Sequence, residues 1–131
     1  MKKILLSVLA AFSLLGTAHA EWTRVDHPSS DVILYVEKES HKPTGRGSVV
    51  MWHLVDYSAA QDYNGKPFRS VKGQDEYNCA RGLRRDMLHL LHEDAMGNSH
   101  MVHAAYKPGP WTAPAEGSIE YSLLRTACAD K

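Results

Sequence analysis

The sequence predicts an α+β fold in which an antiparallel sheet is followed by one short C-terminal helix. Segments rich in β-branched and aromatic residues dominate the first three quarters of the exported part of the chain. Asn64-Gly65 is a strong reverse-turn signal between two of them and is typical of an antiparallel hairpin. Near the C terminus, apolar residues follow Ser118 at helical spacing, and serine is a favoured N-cap.

The first twenty residues, "MKKILLSVLAAFSLLGTAHA", have the three parts of a secretory signal peptide. Lys2 and Lys3 precede a run of about a dozen apolar residues, too short for a membrane core about 30 Å thick. Cleavage is expected after Ala20, and the next residue is Glu21 rather than the cysteine that carries a lipid anchor. We therefore expect an exported domain over residues 21–131, periplasmic or secreted and without a lipid anchor.

The exported part is long enough for one domain with one modest core. Without Lys2 and Lys3 the chain has 13 basic residues against 15 acidic ones, a balance that argues against nucleic acid as a partner. No further apolar stretch approaches the length of a membrane span.

The predicted strands begin with "EWTRV", a short edge strand at the start of the exported chain. "DVILYVE" (31–37) is the second strand, and "SVVMWHLVDY" (48–57) is the third. Both faces of the third strand are mostly apolar, which predicts a central position in the sheet. "FRSVKGQDEYNC" follows the Asn64-Gly65 turn as the fourth strand.

The segment "ARGLRRDMLHLLHE" (80–93) has apolar residues that fit a helix about as well as a strand. We favour a strand because Ala95-Met96-Gly97 can form a three-residue hairpin loop, with Gly97 in the left-handed conformation. This loop sets a register with apolar residues opposite apolar residues and histidine opposite histidine. The predicted pairs are Leu91 with Met101, Leu90 with Val102, Met87 with Ala105, His92 with His100, and His89 with His103.

The helix is predicted from Ser118 to about Ala129, with Glu120 favourably placed in its first turn. The two cysteines, Cys79 and Cys128, both lie in the exported part, and an even count in an oxidising compartment favours a disulfide. Closing a loop of about 50 residues stabilises a fold by roughly 4 kcal/mol, and here the bond would hold the helix on the sheet. Two free thiols, or a cysteine–histidine nucleophile, are the alternatives.

Several segments taken together resemble the surface-adhesin protein E family of bacterial exported proteins. They are "EWTRV", "ILYVE", "VVMWHLVDY", "SVKGQDEYNCARGLRR", "GPWTAP" and "GSIEYSLLRTAC". The resemblance implies an antiparallel sheet of about six strands with a C-terminal helix held on one face by the disulfide. It also implies a non-enzymatic role, since members bind host matrix proteins such as vitronectin and laminin, and haem binding is attributed to the family.

A basic cluster of Arg81, Arg84 and Arg85 follows Cys79, with Lys72 predicted across a strand pair. Such a cluster is suited to an acidic segment of a partner or to a sulfated polysaccharide. The alternative is a solvated strand end, and the alternation of a strand directs Arg84 and Arg85 to opposite faces.

In the predicted register, His92 and His100 are close enough to share one metal ion, with Asp94 as a possible helper. Such a site would bind zinc or haem. The alternative is that these histidines are ordinary half-exposed strand residues with no ligand. Aromatic residues are expected in the core or packed on the sheet; they are Tyr35, Trp52, Tyr57, Tyr77 and Trp111.

No G-x-S-x-G motif, phosphate-binding glycine loop or paired-carboxylate signature is present. The sequence therefore favours an exported non-enzymatic binding module that engages a macromolecular partner such as a host matrix protein, with no resident cofactor. The second hypothesis is a periplasmic metal- or haem-binding protein that uses the hairpin histidines.

Overall fold

A computed structural model of the protein describes residues 21–129, which form six strands and one helix. The elements are β1 (Thr23–Val25), β2 (Val32–Pro43), β3 (Val49–Tyr63), β4 (Lys66–Asn78), β5 (Leu83–His92), β6 (Met101–Ala105) and α1 (Ile119–Ala127). All strands join one antiparallel sheet in the order β1-β2-β3-β4-β5-β6, so each strand pairs with its neighbours in sequence. The predicted fold class is confirmed, and the predicted signal peptide lies outside the described residues.

The central position predicted for the third strand is confirmed, since β3 pairs with β2 on one side and β4 on the other. Met51 and Leu54 point to opposite faces of β3, and both are almost fully buried. The turn into β4 has φ angles of 49° at Asn64 and 81° at Gly65. Two successive positive φ angles match the twist of a two-residue hairpin, which explains the Asn-Gly pair.

The segment that could be read as a helix or a strand is a strand, β5, as predicted. The predicted register between β5 and β6 is wrong: His89 lies opposite Ala105, Leu91 opposite His103, and His92 opposite Met101. The connecting loop is longer than three residues because it turns back over the sheet. Its Ala95–Gly97 segment forms one 3₁₀ turn, with Gly97 in the predicted left-handed conformation.

Ser118 is the N-cap of α1, as predicted, and its hydroxyl accepts a hydrogen bond from the Tyr121 amide at 3.1 Å. The apolar residues of the helix pack on one face of the sheet. These contacts stabilise the helix, since nine residues are marginal as an isolated helix. The predicted disulfide between Cys79 and Cys128 is confirmed and ties the end of α1 to the end of β4. The principal core cluster consists of Val36, Val49, Met51, Tyr77, Leu123, Leu124 and Ala127.

We call the side of the sheet that α1 covers the helix face and the other side the open face. The loop between β5 and β6 folds over part of the open face. There, the Met96 amide donates to Asp56 Oδ1 at 3.1 Å and the Gly97 amide donates to Ser70 Oγ at 2.8 Å. No helix within residues 21–129 is long and apolar enough to span a bilayer.

Candidate binding surface

Arg84, one of the predicted partner-binding residues, forms an internal ion pair on the helix face. Its Nε and Nη2 atoms donate to Asp75 Oδ2 at 3.1 and 2.6 Å. Asp75 is only 1% exposed, so this guanidinium is the charge that neutralises a buried carboxylate. Arg84 therefore has a structural role and lies beside α1 rather than in a shared basic patch.

Arg85 makes the equivalent pair on the open face, as the alternation along a strand predicts. It donates from Nε and Nη2 to Glu76 Oε1 at 2.9 and 2.7 Å, and Glu76 is also almost fully buried. The other carboxylate oxygen accepts a hydrogen bond from Ser48 and lies 3.8 Å from Arg46 Nη2. Burial raises the pKa of Glu76, but these hydrogen bonds and charges outweigh it and hold that pKa below its ordinary value.

The indole of Trp111 lies over Arg85, with the guanidinium carbon 4.7 Å from the ring centroid. Trp111 was expected in the core or packed on the sheet; it is 37% exposed, and its ring packs on Arg85 of β5. Part of the indole therefore remains accessible, while a cation–π contact anchors it. Glu76 in turn fixes the guanidinium, so the stacked pair is preorganised.

The loops after β2 and β4 carry two further exposed arginines. A depression of about 360 Å³ lies between Gly47–Val49, after β2, and Cys79–Ala80, after β4. Arg46 precedes the first segment with a side chain 70% exposed, and the exposed Arg81 follows the second. We call this region the arginine–tryptophan surface; its members are Arg46, Arg81, Arg85 and Trp111. It is basic, because three arginines accompany one buried carboxylate.

Of the predicted basic cluster, Arg85 lies on this surface, Arg81 lies in the loop that leads into β5, and Arg84 points to the helix face. Lys72 lies four residues before Glu76 on β4. Its side chain packs against Gly97 of the β5–β6 loop, so closely that a Cβ atom added to Gly97 would lie 2.9 Å from the lysine Cε atom. Sequence reasoning missed Arg46 and did not propose Trp111 as a binding residue. An arginine between two glycines and a tryptophan within the proline-rich "GPWTAP" both indicate exposed loops, and these were the available signals.

The predicted site of two paired histidines is not formed. His92 is 5% exposed and donates from Nδ1 to the Ser99 carbonyl at 2.7 Å, whereas His100 is largely exposed and bonds Glu93 at 2.8 Å. Asp94 is held through its backbone, with its amide donating to Ser99 Oγ at 2.9 Å. The register changed because side chains of β3 and β4 bind the loop, a tertiary effect that the local pattern does not contain.

Within residues 21–129, no three side chains of the histidine, cysteine, aspartate and glutamate types are grouped to hold a metal ion. His89 and His103 do approach, with ring centroids 6.1 Å apart, although they are not cross-strand partners. Each has another partner: His89 bonds Asp86, and His103 stacks on Tyr63. Zinc or haem binding by His92, His100 and Asp94 stays a prediction that the pairing no longer supports.

A second buried polar group lies between α1 and the sheet. His53 is 7% exposed, and its Nδ1 atom has no hydrogen-bond partner among the described residues. Its ring packs directly on Gly73, where an added Cβ atom would lie only 2.8 Å from the ring. Burial lowers the pKa of His53 below its ordinary value of 6.5, while the negative charge of Asp75 partly opposes this shift. The ring borders a cavity of about 160 Å³ that is also lined by Arg84, Asp86, His89 and Glu120.

This arrangement predicts that the free energy of unfolding falls as the pH drops below about 6.5. The folded protein keeps His53 neutral, whereas the unfolded chain accepts the proton, so unfolding takes up protons and acid favours it. One such group contributes a slope of at most about 1.4 kcal/mol per pH unit. Urea unfolding between pH 7.5 and 5.5 measures the slope (about one unit either side of the histidine pKa), and H53L should reduce it. An identical slope in that variant would contradict the assignment.

The six-stranded sheet, the C-terminal helix and the bond between them define a small disulfide-linked α+β domain. The match to the family described as Surface-adhesin protein E covers residues 22–129. The chain belongs to this surface-adhesin protein E family. No curated protein matches the sequence at a significant level.

Solved structures of Haemophilus influenzae protein E have the same fold. One crystal form is 15% identical, covers 82% of this chain and 97% of that chain, and gives a TM-score of 0.58. A selenomethionine form is 16% identical, covers 86% of this chain and 88% of that chain, and gives a TM-score of 0.61. At this level of identity the similarity establishes the shared fold, and the surface chemistry has to be argued from this chain's own residues.

Proposed function

We propose that the protein is an exported, non-enzymatic binding module that engages a macromolecular partner through the arginine–tryptophan surface. The observation that carries the proposal is the exposed indole of Trp111 stacked on an arginine that is itself fixed by buried Glu76. Tryptophan and arginine dominate the energetics of protein interfaces, and a fixed side chain loses little entropy on binding.

The charge of this surface indicates the chemistry of the partner. Exposed Arg46 lies beside the Glu76–Arg85 pair on which the indole stacks, and exposed Arg81 lies in the loop before β5, so an acidic segment next to an apolar or aromatic side chain would be complementary. Family membership supports the class of partner, a host extracellular-matrix protein such as vitronectin or laminin. The signal sequence predicted over residues 1–20 supports export to the periplasm or the exterior.

Binding to immobilised vitronectin and laminin tests the proposal. W111A should weaken the complex by about thirtyfold, the loss typical of a tryptophan worth about 2 kcal/mol at an interface. R46A should mainly slow association, and raising the salt concentration from about 0.1 to 1 M should have a similar effect because the Debye length falls from about 10 to 3 Å.

R69A is the matched control, because Arg69 is an exposed arginine at the other end of β4 that bonds only backbone carbonyls of β3. Its binding should equal that of the unchanged protein. If W111A and R46A both bind as the unchanged protein does, the arginine–tryptophan surface is ruled out as the binding site. If no matrix protein shows saturable binding, the proposed class of partner is ruled out.

A further inference from the structure

The cavity beside His53 lies on the helix face, between the first turn of α1 and strands β3, β4 and β5, and has a volume of about 160 Å³. His53 and Asp75 are its most deeply buried polar members, at 7% and 1% exposure. Each has one atom without a hydrogen-bond partner among the described residues, Nδ1 of His53 and Oδ1 of Asp75. Buried polar atoms without partners are rare in folded proteins, so this pair points to a bound group.

The hydrogen bonds of Asp75 define what that group must offer. Arg84 donates twice to Oδ2, at 3.1 and 2.6 Å, and the Tyr77 hydroxyl donates to the same oxygen at 3.5 Å. Oδ1 therefore keeps its full capacity as an acceptor. A neutral imidazole also accepts at Nδ1 when its proton is on Nε2. An occupant that donates to both atoms would satisfy the pair.

The charge of the lining favours a cation. Three carboxylates line the cavity, from Asp75, Asp86 and Glu120, against one guanidinium, from Arg84. The excess of negative charge remains even when His89 is protonated beside Asp86. A positively charged donor is therefore preferred to a neutral or negatively charged one.

The remaining walls suit a hydrocarbon stem. Apolar side chains from the sheet and the helix line the cavity; they are Val55, Val71, Ile119 and Leu123. Asp86 and Glu120 are half-buried, so they lie nearer to the opening than Asp75. The volume is that of about five water molecules at about 30 Å³ each, which is close to the size of an n-butylammonium ion.

We propose that this cavity binds a primary ammonium group on an unbranched aliphatic stem. The ammonium would donate to Asp75 Oδ1 and His53 Nδ1, Glu120 would balance its charge, and the stem would lie on the apolar walls. Within residues 21–129, no three metal-binding side chains are close enough to hold a metal ion. An ammonium nitrogen bonds its acceptors at about 2.8 Å rather than about 2.1 Å, so it accepts a wider spacing.

A free alkylamine and a lysine side chain of a partner share this chemistry. Calorimetric titration of the exported domain with n-butylamine at about pH 7.5, where the amine is charged, tests the proposal. We expect saturable binding, and 1-butanol should bind at least about tenfold more weakly because it lacks the charge. Binding of Nα-acetyl-lysine methylamide as well would assign a lysine side chain, whereas binding of n-butylamine alone would assign a free amine.

Nitrogen NMR and a charge variant identify the contacts. The His53 Nδ1 resonance should shift when n-butylamine binds, whereas that of His27 Nδ1, which already bonds Ser122 Oγ at 2.8 Å, should not. E120Q should weaken binding by at least about fivefold, the effect of one unit charge about 4 Å away even in water. E116Q is the matched control, because Glu116 is exposed and does not line this cavity.

Any of four results would overturn the proposal: no saturable binding of n-butylamine, equal affinity for n-butylamine and 1-butanol, an unchanged His53 Nδ1 resonance in the complex, or equal binding by E120Q and E116Q. Unfolding curves of both variants separate lost binding from lost structure. W111A should bind n-butylamine as the unchanged protein does, and E120Q should bind matrix proteins as the unchanged protein does. A failure of this cavity is therefore distinguishable from a failure of the arginine–tryptophan surface.

Discussion

Replacement of Arg84 by methionine should lower the free energy of unfolding by about 3 to 5 kcal/mol. The substitution keeps most of the side-chain volume but removes the only guanidinium that bonds Asp75, which is 1% exposed. An ionised carboxylate without a partner is strongly unfavourable between a helix and a sheet, because water is largely excluded there. Urea unfolding at pH 7 measures the change.

The double variant D75L/R84M separates the ion pair from packing. It removes both charges, and replacing a buried pair with apolar side chains of similar volume is often neutral. We therefore expect the double variant to be more stable than R84M alone. The exposed control R24M should change stability by less than about 0.5 kcal/mol. A loss in R84M no larger than in R24M would show that the Arg84–Asp75 pair does not stabilise the fold.

Replacement of Cys79 and Cys128 by alanine should lower the free energy of unfolding by about 4 kcal/mol, the value expected for a loop of this length. The bond joins residues 49 apart in sequence and ties the end of α1 to the sheet. Without it, a nine-residue helix is held by the apolar contacts of Leu123, Leu124 and Ala127 and by hydrogen bonds from His27 to Ser122 and from His41 to the Ala127 carbonyl. The helix should therefore detach before the sheet unfolds.

Amide hydrogen exchange measures this order directly. In the variant C79A/C128A, the amides of α1 should lose protection by a larger factor than those of β3. The unchanged protein with its disulfide intact is the control, and a thiol assay on it after denaturation should detect no free thiol. Equal loss of protection in α1 and β3 would mean that the helix and the sheet unfold together and that the bond does not specifically hold the helix.

The sequence was sufficient for those parts of the fold that depend on local patterns. Apolar residues on both faces predicted β3 as a central strand, Asn64-Gly65 predicted the turn, and Ser118 predicted the start of α1. The register of the last hairpin was wrong because Asp56 and Ser70 bind the loop from strands far away in sequence. The spacing of residues around the loop does not reveal such long-range hydrogen bonds.

The candidate surface shows the same limit. Alternation along β5 correctly placed Arg84 and Arg85 on opposite faces, but it gave no sign that each one pairs with a buried carboxylate of β4. Trp111 was expected in the core or packed on the sheet, and its contact with Arg85 depends on a chain segment that pairs with the start of β5. Burial of a large aromatic residue in a loop is decided by tertiary structure.

The central claim, that the arginine–tryptophan surface binds the partner, is tested most directly by hydrogen exchange in the complex. The domain should be compared free and bound to the matrix protein for which it has the highest affinity. We predict new protection in the segments 44–49, 79–85 and 109–112, which form the surface. Protection confined to α1 and the cavity beside it, or to the loop 93–100, would contradict the claim.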